Sequence, residues 1–341
     1  MRGARIREEG PAHYHVISRV IERRLLFKDE EKSRIVTYMR KLEAFSGVQI
    51  LTFAILSNHY HLLLFVPTRN KDEISDAELL ERLAFIYDQD DMKWITDTLK
   101  LYRDQKAEES TVRKFKKRYT DRMYNLSMFM KDFNQHISMS YNARHDRRGP
   151  LWMDRFTSIL VQGTGHPLAA IAAYIDLNSV RAGLAKDPKD YHFCGYAEAV
   201  AGRQKAREGL MSVMQSVNCL GDWSNAGAEY RKLLFVSGET YTPQTPSQPA
   251  PAGFDHAAVM KVLADGGKLS LPQLLRCRVR YFSNGLILGS KTYVEDKFKQ
   301  HRVFFGLKRK TGARPMTGCS IAICTARRLK LDPIIVPIST V

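Results

Sequence analysis

Along the first half of the chain the hydrophobic positions switch between a period of two and a period near 3.6, the marks of strand and helix. Tyr14 to Val20 (YHVISRV) predicts a strand. Asp29 to Phe45 predicts a helix, with acidic residues in its first turn and Gly47 just past its end. Val48 to Leu56 and His59 to Val66 predict two strands joined by a tight turn at Ser57-Asn58. Pro67 to Asn70 breaks the pattern, and Asp76 to Arg122 then reads as charged and helical, followed by a helix from Leu126 to about Arg144. A loop, Gly149 to Phe156, leads into a short strand, Thr157 to Gln162, and His166-Pro167 opens a helix that runs to near Gly183. The order is βαββ, an inserted helical segment, then βα. That is the order of a ferredoxin-like α+β sandwich, an antiparallel sheet with helices on one face.

Beyond Asp190 the pattern is weaker. Residues 197–240 read as a helical extension, and Tyr241 to Phe254 (YTPQTPSQPAPAGF) has the Pro, Gln, Ser and Thr content of a linker. Residues 255–310 predict a small helical C-terminal region, and residues 311–341 an apolar tail with no assigned role. The main unit thus spans residues 12–196, with the helical insertion at about 72–122.

Composition narrows the class of function. With 341 residues, 44% of them hydrophobic, the chain can fill a real core. A formal net charge of +17 favours a polyanionic partner, nucleic acid first. The N-terminal stretch lacks the apolar core of a signal peptide and no stretch approaches an uncharged membrane span, so a cytoplasmic protein without membrane contact is expected. Five scattered cysteines with no CxxC pair support neither a disulfide framework nor a thiolate zinc site.

Two imidazoles interrupt the apolar strand in SNHYHLLLF. Residues i and i+2 of a strand share a face, so His59 and His61 project side by side and can share a divalent metal, or can be half-buried strand residues with hydrogen-bond partners. His13 and His15 form a second such pair on the first strand, with His15 a candidate supporting residue and both otherwise edge or strand residues. In AAYIDLNSVRAGL, Tyr174 and Asn178 lie one helical turn apart, and Arg181 two turns from Tyr174 can reach the same face and meet a phosphate. An amide oxygen could complete a metal site beside a nucleophilic hydroxyl; equally, the tyrosine could pack in the core and the asparagine could end the helix.

Taken together, NHYHLLL on a strand, GPLWMDRF before another and YIDLNSVRAGL on the next helix resemble the single-tyrosine HUH transposase family, in particular its REP-associated tyrosine transposase branch. His59-Tyr60-His61 matches the histidine, hydrophobic residue, histidine motif; Tyr174 matches the nucleophilic tyrosine; Asn178 matches the third metal ligand. The likeness covers roughly residues 12–196. Ser179 stands where that helix often has proline, the helical insertion is long for the family, and Asn178 replaces the glutamine of insertion-sequence members.

The resemblance implies Mg²⁺ or Mn²⁺ held by His59, His61 and Asn178, and attack by Tyr174 on DNA to give a 5′-phosphotyrosine that a 3′-hydroxyl can rejoin. It implies single-stranded or hairpin DNA as partner. Arg144, Arg147, Arg148 and Arg155, with Trp152 among them, fit an interface of cations and stacking aromatics, although Trp152 can equally anchor the core. Lys116 and Lys117, within the basic run from Arg113 to Arg122, are candidates to clamp a hairpin stem, and Arg276, Arg278, Arg280 and residues 308–310 extend the basic character into the C-terminal part. A homodimer could place Tyr174 in the partner's site. The competing readings are a hairpin-binding regulator that has lost catalysis, and a small-phosphoester hydrolase, which would need acidic ligands that the HYH strand lacks.

Overall fold

The computed structural model describes residues 5–70, 74–235, 275, 280–316 and 322–327. Four strands form the heart of the sheet: β1 (Ala12–Arg19), β2 (Gln49–Ile55), β3 (His59–Val66) and β4 (Thr157–Val161). Their order is β2-β3-β1-β4, every neighbouring pair antiparallel. Helix α1 (Asp29–Ser46) crosses from β1 to β2, so β3 inserts between the two strands it joins. Gly47 ends that helix in the left-handed region at φ 71°, where glycine has no Cβ penalty. The insertion forms three helices, α2 (Asp76–Leu83), α3 (Gln89–Asp104) and α4 (Glu109–Thr120), ahead of α5 (Leu126–Arg144).

The expectation of helices on one face is corrected, because both faces are covered. Tyr14, Val16, Tyr60, Leu62 and Leu64 pack on α1, α5 and the insertion. Leu51, Ala54, Leu63, Ile159 and Val161 pack on the other side, against α6 (His166–Asp176), α9 (Gln204–Gln215) and α10 (Trp223–Phe235). The physical reason lies in β2 and β3, which are buried along nearly their whole length rather than at alternate positions. Such a strand needs an apolar layer above and below it. Helix α6 is likewise buried from Pro167 to Asp176, as a surface that is alanine-rich and apolar but for Tyr174 and Asp176 requires.

The expected helical C-terminal region is corrected too. The described part of it holds helices Arg280–Asn284 and Lys291–Gln300 together with a short strand, β5 (Ile287–Gly289), and the tail beyond residue 310 adds β6 (Arg314–Pro315) and β7 (Cys324–Thr325). β5 pairs parallel to β4, and the sheet continues β4-β5-β7-β6 to seven strands. Strands of two or three residues carry no readable period. The Pro-rich linker, Arg276, Arg278 and most of the apolar tail lie outside the described residues.

Helix α9 lies unusually close to β2 because Gly209 faces it. A Cβ there would meet the Leu51 carbonyl oxygen at 2.5 Å and Leu51 Cα at 2.8 Å. Gly209→Ala is therefore expected to destabilise the protein by about 1–3 kcal/mol through overpacking against backbone, outweighing the roughly 1 kcal/mol that helix propensity favours alanine. A urea midpoint at or above the wild-type value would contradict this.

Candidate active site

The alternation along β3 puts Tyr60, Leu62 and Leu64 on one face and His59, His61 and Leu63 on the other, the face that α6 covers. His13 and His15 of β1 share that second face, since Tyr14 and Val16 take the first. His59 and His61 meet edge to face with ring centroids 5.1 Å apart. They line a cleft of about 230 Å³ together with Tyr174, Asn178, Arg181 and, from the end of β1, Arg19 and Arg23. Five residues that the sequence placed together, His59, His61, Tyr174, Asn178 and Arg181, thus meet in one cleft.

The turn before β3 fixes His59. Asn58 Nδ2 donates to the Arg23 carbonyl at 3.0 Å, which leaves its Oδ1 to accept from His59 Nδ1 at 2.6 Å. With the hydrogen on Nδ1, the lone pair of His59 sits on Nε2. His61 is fully inside the protein; burial first, then the charges of its neighbours His15, His59, Arg19 and Arg181, push its pKa well below the usual histidine value. His15 is pushed down to about 3, chiefly by burial. Both imidazoles are neutral at physiological pH, the form that binds metals. His15 Nε2 lies 2.8 Å from His61 Nδ1, and His15 Nδ1 lies 2.7 Å from the Phe282 carbonyl.

Tyr174 is only 3% exposed. One face of its ring lies under the Arg181 guanidinium, 3.9 Å from the centroid, and Phe282 packs against it at 4.9 Å. His15 and His61 approach it edge-on at 6.4 and 6.2 Å. Helix α6 stops at Asp176, and a short helix, α7 (Asn178–Arg181), follows after Leu177. Asn178 makes that stop: its Nδ2 donates to the carbonyls of Tyr174 (3.2 Å) and Ile175 (3.1 Å), two acceptors left open at the helix end. The asparagine therefore ends the helix and also keeps its Oδ1 as an acceptor at the cleft. Arg181 is fastened as well, donating to the carbonyls of Leu275 and Tyr174 at 2.5 Å each.

Among the described residues no three His, Cys, Asp or Glu side chains converge as a metal-binding group. What the cleft offers is the imidazoles of His59 and His61 and an amide oxygen. The amide oxygen suits Mg²⁺ or Mn²⁺ and the two imidazoles suit transition metals, so the set fits Mn²⁺ better than Mg²⁺, with phosphate or water in the remaining positions.

Beyond the cleft, Arg19 and Arg23 also border a neighbouring hollow of about 270 Å³ with Arg155 and Asn284. Arg155 and Asn284 in turn border a third, of about 420 Å³, which holds Arg5 and Arg327. The hollows share walls, so a cationic groove leads away from the tyrosine. Burial first, then the charges of Arg155 and Arg7, hold the Arg5 guanidinium below its ordinary pKa.

The remaining basic candidates are placed elsewhere. Arg144 pairs with Glu30 and Glu31 at the start of α1. Arg147 is tied to Asn142 and the Pro150 carbonyl, while Arg148 is exposed in the same loop. Trp152 donates its indole N–H to the Asn134 carbonyl and packs on Phe27 and Tyr60, which makes it an anchor of the opposite core. Lys116 is committed to Asp76 and the Ile74 carbonyl; Lys117 is exposed on α4, which packs on the face of the sheet away from the cleft. Sequence reasoning missed Arg19 and Arg23, whose signal is the basic stretch from Arg19 to Arg24 at the end of β1, and it missed Phe282, whose carbonyl and ring contacts carry no sequence signal.

Residues 11–76 match the family model described as Transposase IS200 like. The matched stretch contains the His59 and His61 pair and ends before Tyr174, so it bears out the family resemblance over the first three strands. A solved structure of a REP-associated tyrosine transposase bound to a REP hairpin is similar over 59% of this chain and 87% of that one, at 12% identity and a TM-score of 0.38. No curated protein matches the chain. No helix among the described residues is long and apolar enough to cross a membrane.

Proposed function

We propose, from the IS200-like transposase signature of residues 11–76, that this protein is a metal-dependent DNA strand transferase acting on single-stranded or hairpin DNA through Tyr174. The observation that carries the reading is the convergence of Tyr174, Asn178, His59 and His61 on one cleft from two distant parts of the chain. A divalent metal bound by Nε2 of both histidines and Oδ1 of Asn178 would polarise a phosphate oxygen and stabilise the charge that develops on it.

The chain's own residues do the rest. Tyr174 Oη attacks phosphorus and its proton leaves to solvent, a new O–P bond forms as the P–O3′ bond breaks, and the leaving 3′-oxygen takes a proton from solvent to depart as a 3′-hydroxyl. The 5′-phosphotyrosine conserves the linkage, so a 3′-hydroxyl can reverse the step without a nucleotide cofactor. Arg181, stacked on the ring and bonded to the Tyr174 carbonyl, holds the tyrosine in place at the cleft. Arg19, Arg23 and Arg155 would guide the phosphates of the flanking strand along the groove.

One observation favours a second reading, a hairpin-binding regulator without catalysis: Tyr174 is buried beneath Phe282 and Arg181. A covalent-trapping assay separates the two. Hairpin oligonucleotides from the gene's own flanks, incubated with the protein and Mn²⁺, are expected to give a band heavier by the DNA on a denaturing gel. Chelation with EDTA, or His59→Ala, is expected to abolish it. Tight hairpin binding with no adduct in Mg²⁺ or Mn²⁺ would leave the regulator reading standing.

A further inference from the structure

We infer that His15 and the backbone carbonyl of Phe282 act as a relay that fixes the tautomer of His61, which makes the C-terminal segment a positioning part of the site. The inference rests on the metal-binding role proposed for His61.

β1 and β3 pair with Ile17 opposite His61, so His15, one same-face step along β1, lies diagonally across from it. The two rings lie within 17° of parallel with centroids 5.0 Å apart. With Nε2 of one 2.8 Å from Nδ1 of the other, this is the spacing of two rings joined edge to edge by an N–H···N bond rather than stacked face on face. At the far end His15 Nδ1 meets the Phe282 carbonyl at 2.7 Å.

A carbonyl oxygen can only accept, so the hydrogen at that end is on His15 Nδ1. His15 is neutral in its apolar burial, so its Nε2 carries a lone pair and must accept from His61. That places the His61 hydrogen on Nδ1 and its lone pair on Nε2. Each ring holds one hydrogen, so the choice made at Phe282 propagates through both. Asn58 imposes the same tautomer on His59 by a separate route. Outer partners that orient a ligating imidazole in this way raise its basicity and preset its geometry.

The carbonyl is itself held in place. Phe282 lies in the helix Arg280–Asn284, directly before β5, and β5 is registered on β4 through Leu160 opposite Ile287 and the bond from Leu160 N–H to the Leu286 carbonyl at 3.0 Å. The same residue packs its ring on Tyr174. A purely structural role for His15 would need only a side chain that fills the space between β1 and α6; the two bonds in series ask for a donor at one end and an acceptor at the other.

The test reads the tautomer directly. The full-length, metal-free protein labelled with ¹⁵N-histidine is measured by long-range ¹H–¹⁵N correlation at pH 7.5, with His61 assigned by its loss in His61→Gln. Wild type is expected to show His61 as the Nδ1–H form. His15→Leu is expected to release it to the Nε2–H form or a mixture and to weaken Mn²⁺ binding, measured by electron paramagnetic resonance, by about 10- to 100-fold. His15→Gln carries its amide oxygen to the position of Nε2 and is expected to restore the tautomer and most of the affinity. His15→Asn, whose shorter amide reaches the carbonyl but not His61, is expected to restore neither, and serves in place of His15→Leu if that variant's melting curve shows it unfolded. A His61 that stays Nδ1–H in Leu and Asn variants, or Gln and Asn variants that behave alike, would overturn the relay. Lack of a DNA adduct in the trapping assay would instead count against strand transfer and leave the NMR result unchanged.

Discussion

Tyr174→Phe is expected to form no covalent adduct with hairpin DNA in Mn²⁺, a loss of more than about 10³-fold, the scale on which removal of a nucleophile acts. The substitution deletes one oxygen whose hydroxyl forms no hydrogen bond among the described residues, and the ring keeps its contacts with Arg181 and Phe282. Stability and hairpin affinity should therefore stay close to wild type, which separates loss of chemistry from loss of fold. Tyr60, between His59 and His61 in sequence but on the opposite face of β3, cannot substitute: its hydroxyl is spent on Asn134 at 2.5 Å and its ring is buried between Phe133 and Trp152. An adduct that persists in Tyr174→Phe, mapped by peptide sequencing to another residue, would remove Tyr174 from the mechanism while leaving strand transfer in place.

The parts of this protein governed by local periodicity were legible in its sequence. β3 runs from His59 to Val66 and α5 from Leu126 to Arg144 as their patterns predict, and α1 extends the expected helix by Ser46. The histidine pair shares a face because a strand alternates, whereas the single helix expected through Tyr174 and Asn178 breaks at Leu177, and the two meet because Asn178 Nδ2 bonds the Tyr174 carbonyl across that break. Features that depend on long-range partners were not legible. Whether a fully apolar strand is covered on one side or two is decided by chain that arrives later, here α6 and α9 on β2 and β3. The basic residues show the same limit: sequence spacing cannot tell Arg144, neutralised by Glu30 and Glu31, from Arg155 in the groove. Trp152 resolved toward the core because Asn134 offers its indole a carbonyl.

Asp176→Ala is expected to cost about 3 kcal/mol or more, since it strips a buried acceptor from several donors at once. Its carboxylate has no exposed surface. Oδ1 accepts from Thr52 Oγ1 at 2.8 Å and from the Tyr196 N–H at 3.1 Å, and Oδ2 accepts from Tyr230 Oη at 2.5 Å. Those donors belong to β2, α8 (Gly195–Val200) and α10, so one side chain at the end of the tyrosine helix ties three elements around it. Asp176→Asn keeps an acceptor for Thr52 and Tyr196 and offers N–H to a hydroxyl that can accept, so its cost should be smaller. Burial pushes the carboxyl up to about 7, against the hydrogen bonds from Tyr230, Thr52 and Tyr196, which favour the ion. The unfolded value is near 3.9. Between these values the folded chain holds a proton that the unfolded chain has released, so this site loses stability as pH rises from about 4 to 7, by up to about 4 kcal/mol, and contributes no further slope above. Asp176→Asn has no such slope. The difference in unfolding free energy, wild type minus Asp176→Asn, should therefore shrink between pH 5 and pH 7.5 in urea titrations. A difference that stays flat would mean that the converging donors outweigh burial and keep Asp176 ionised throughout, with the large loss in Asp176→Ala still expected on the hydrogen bonds alone.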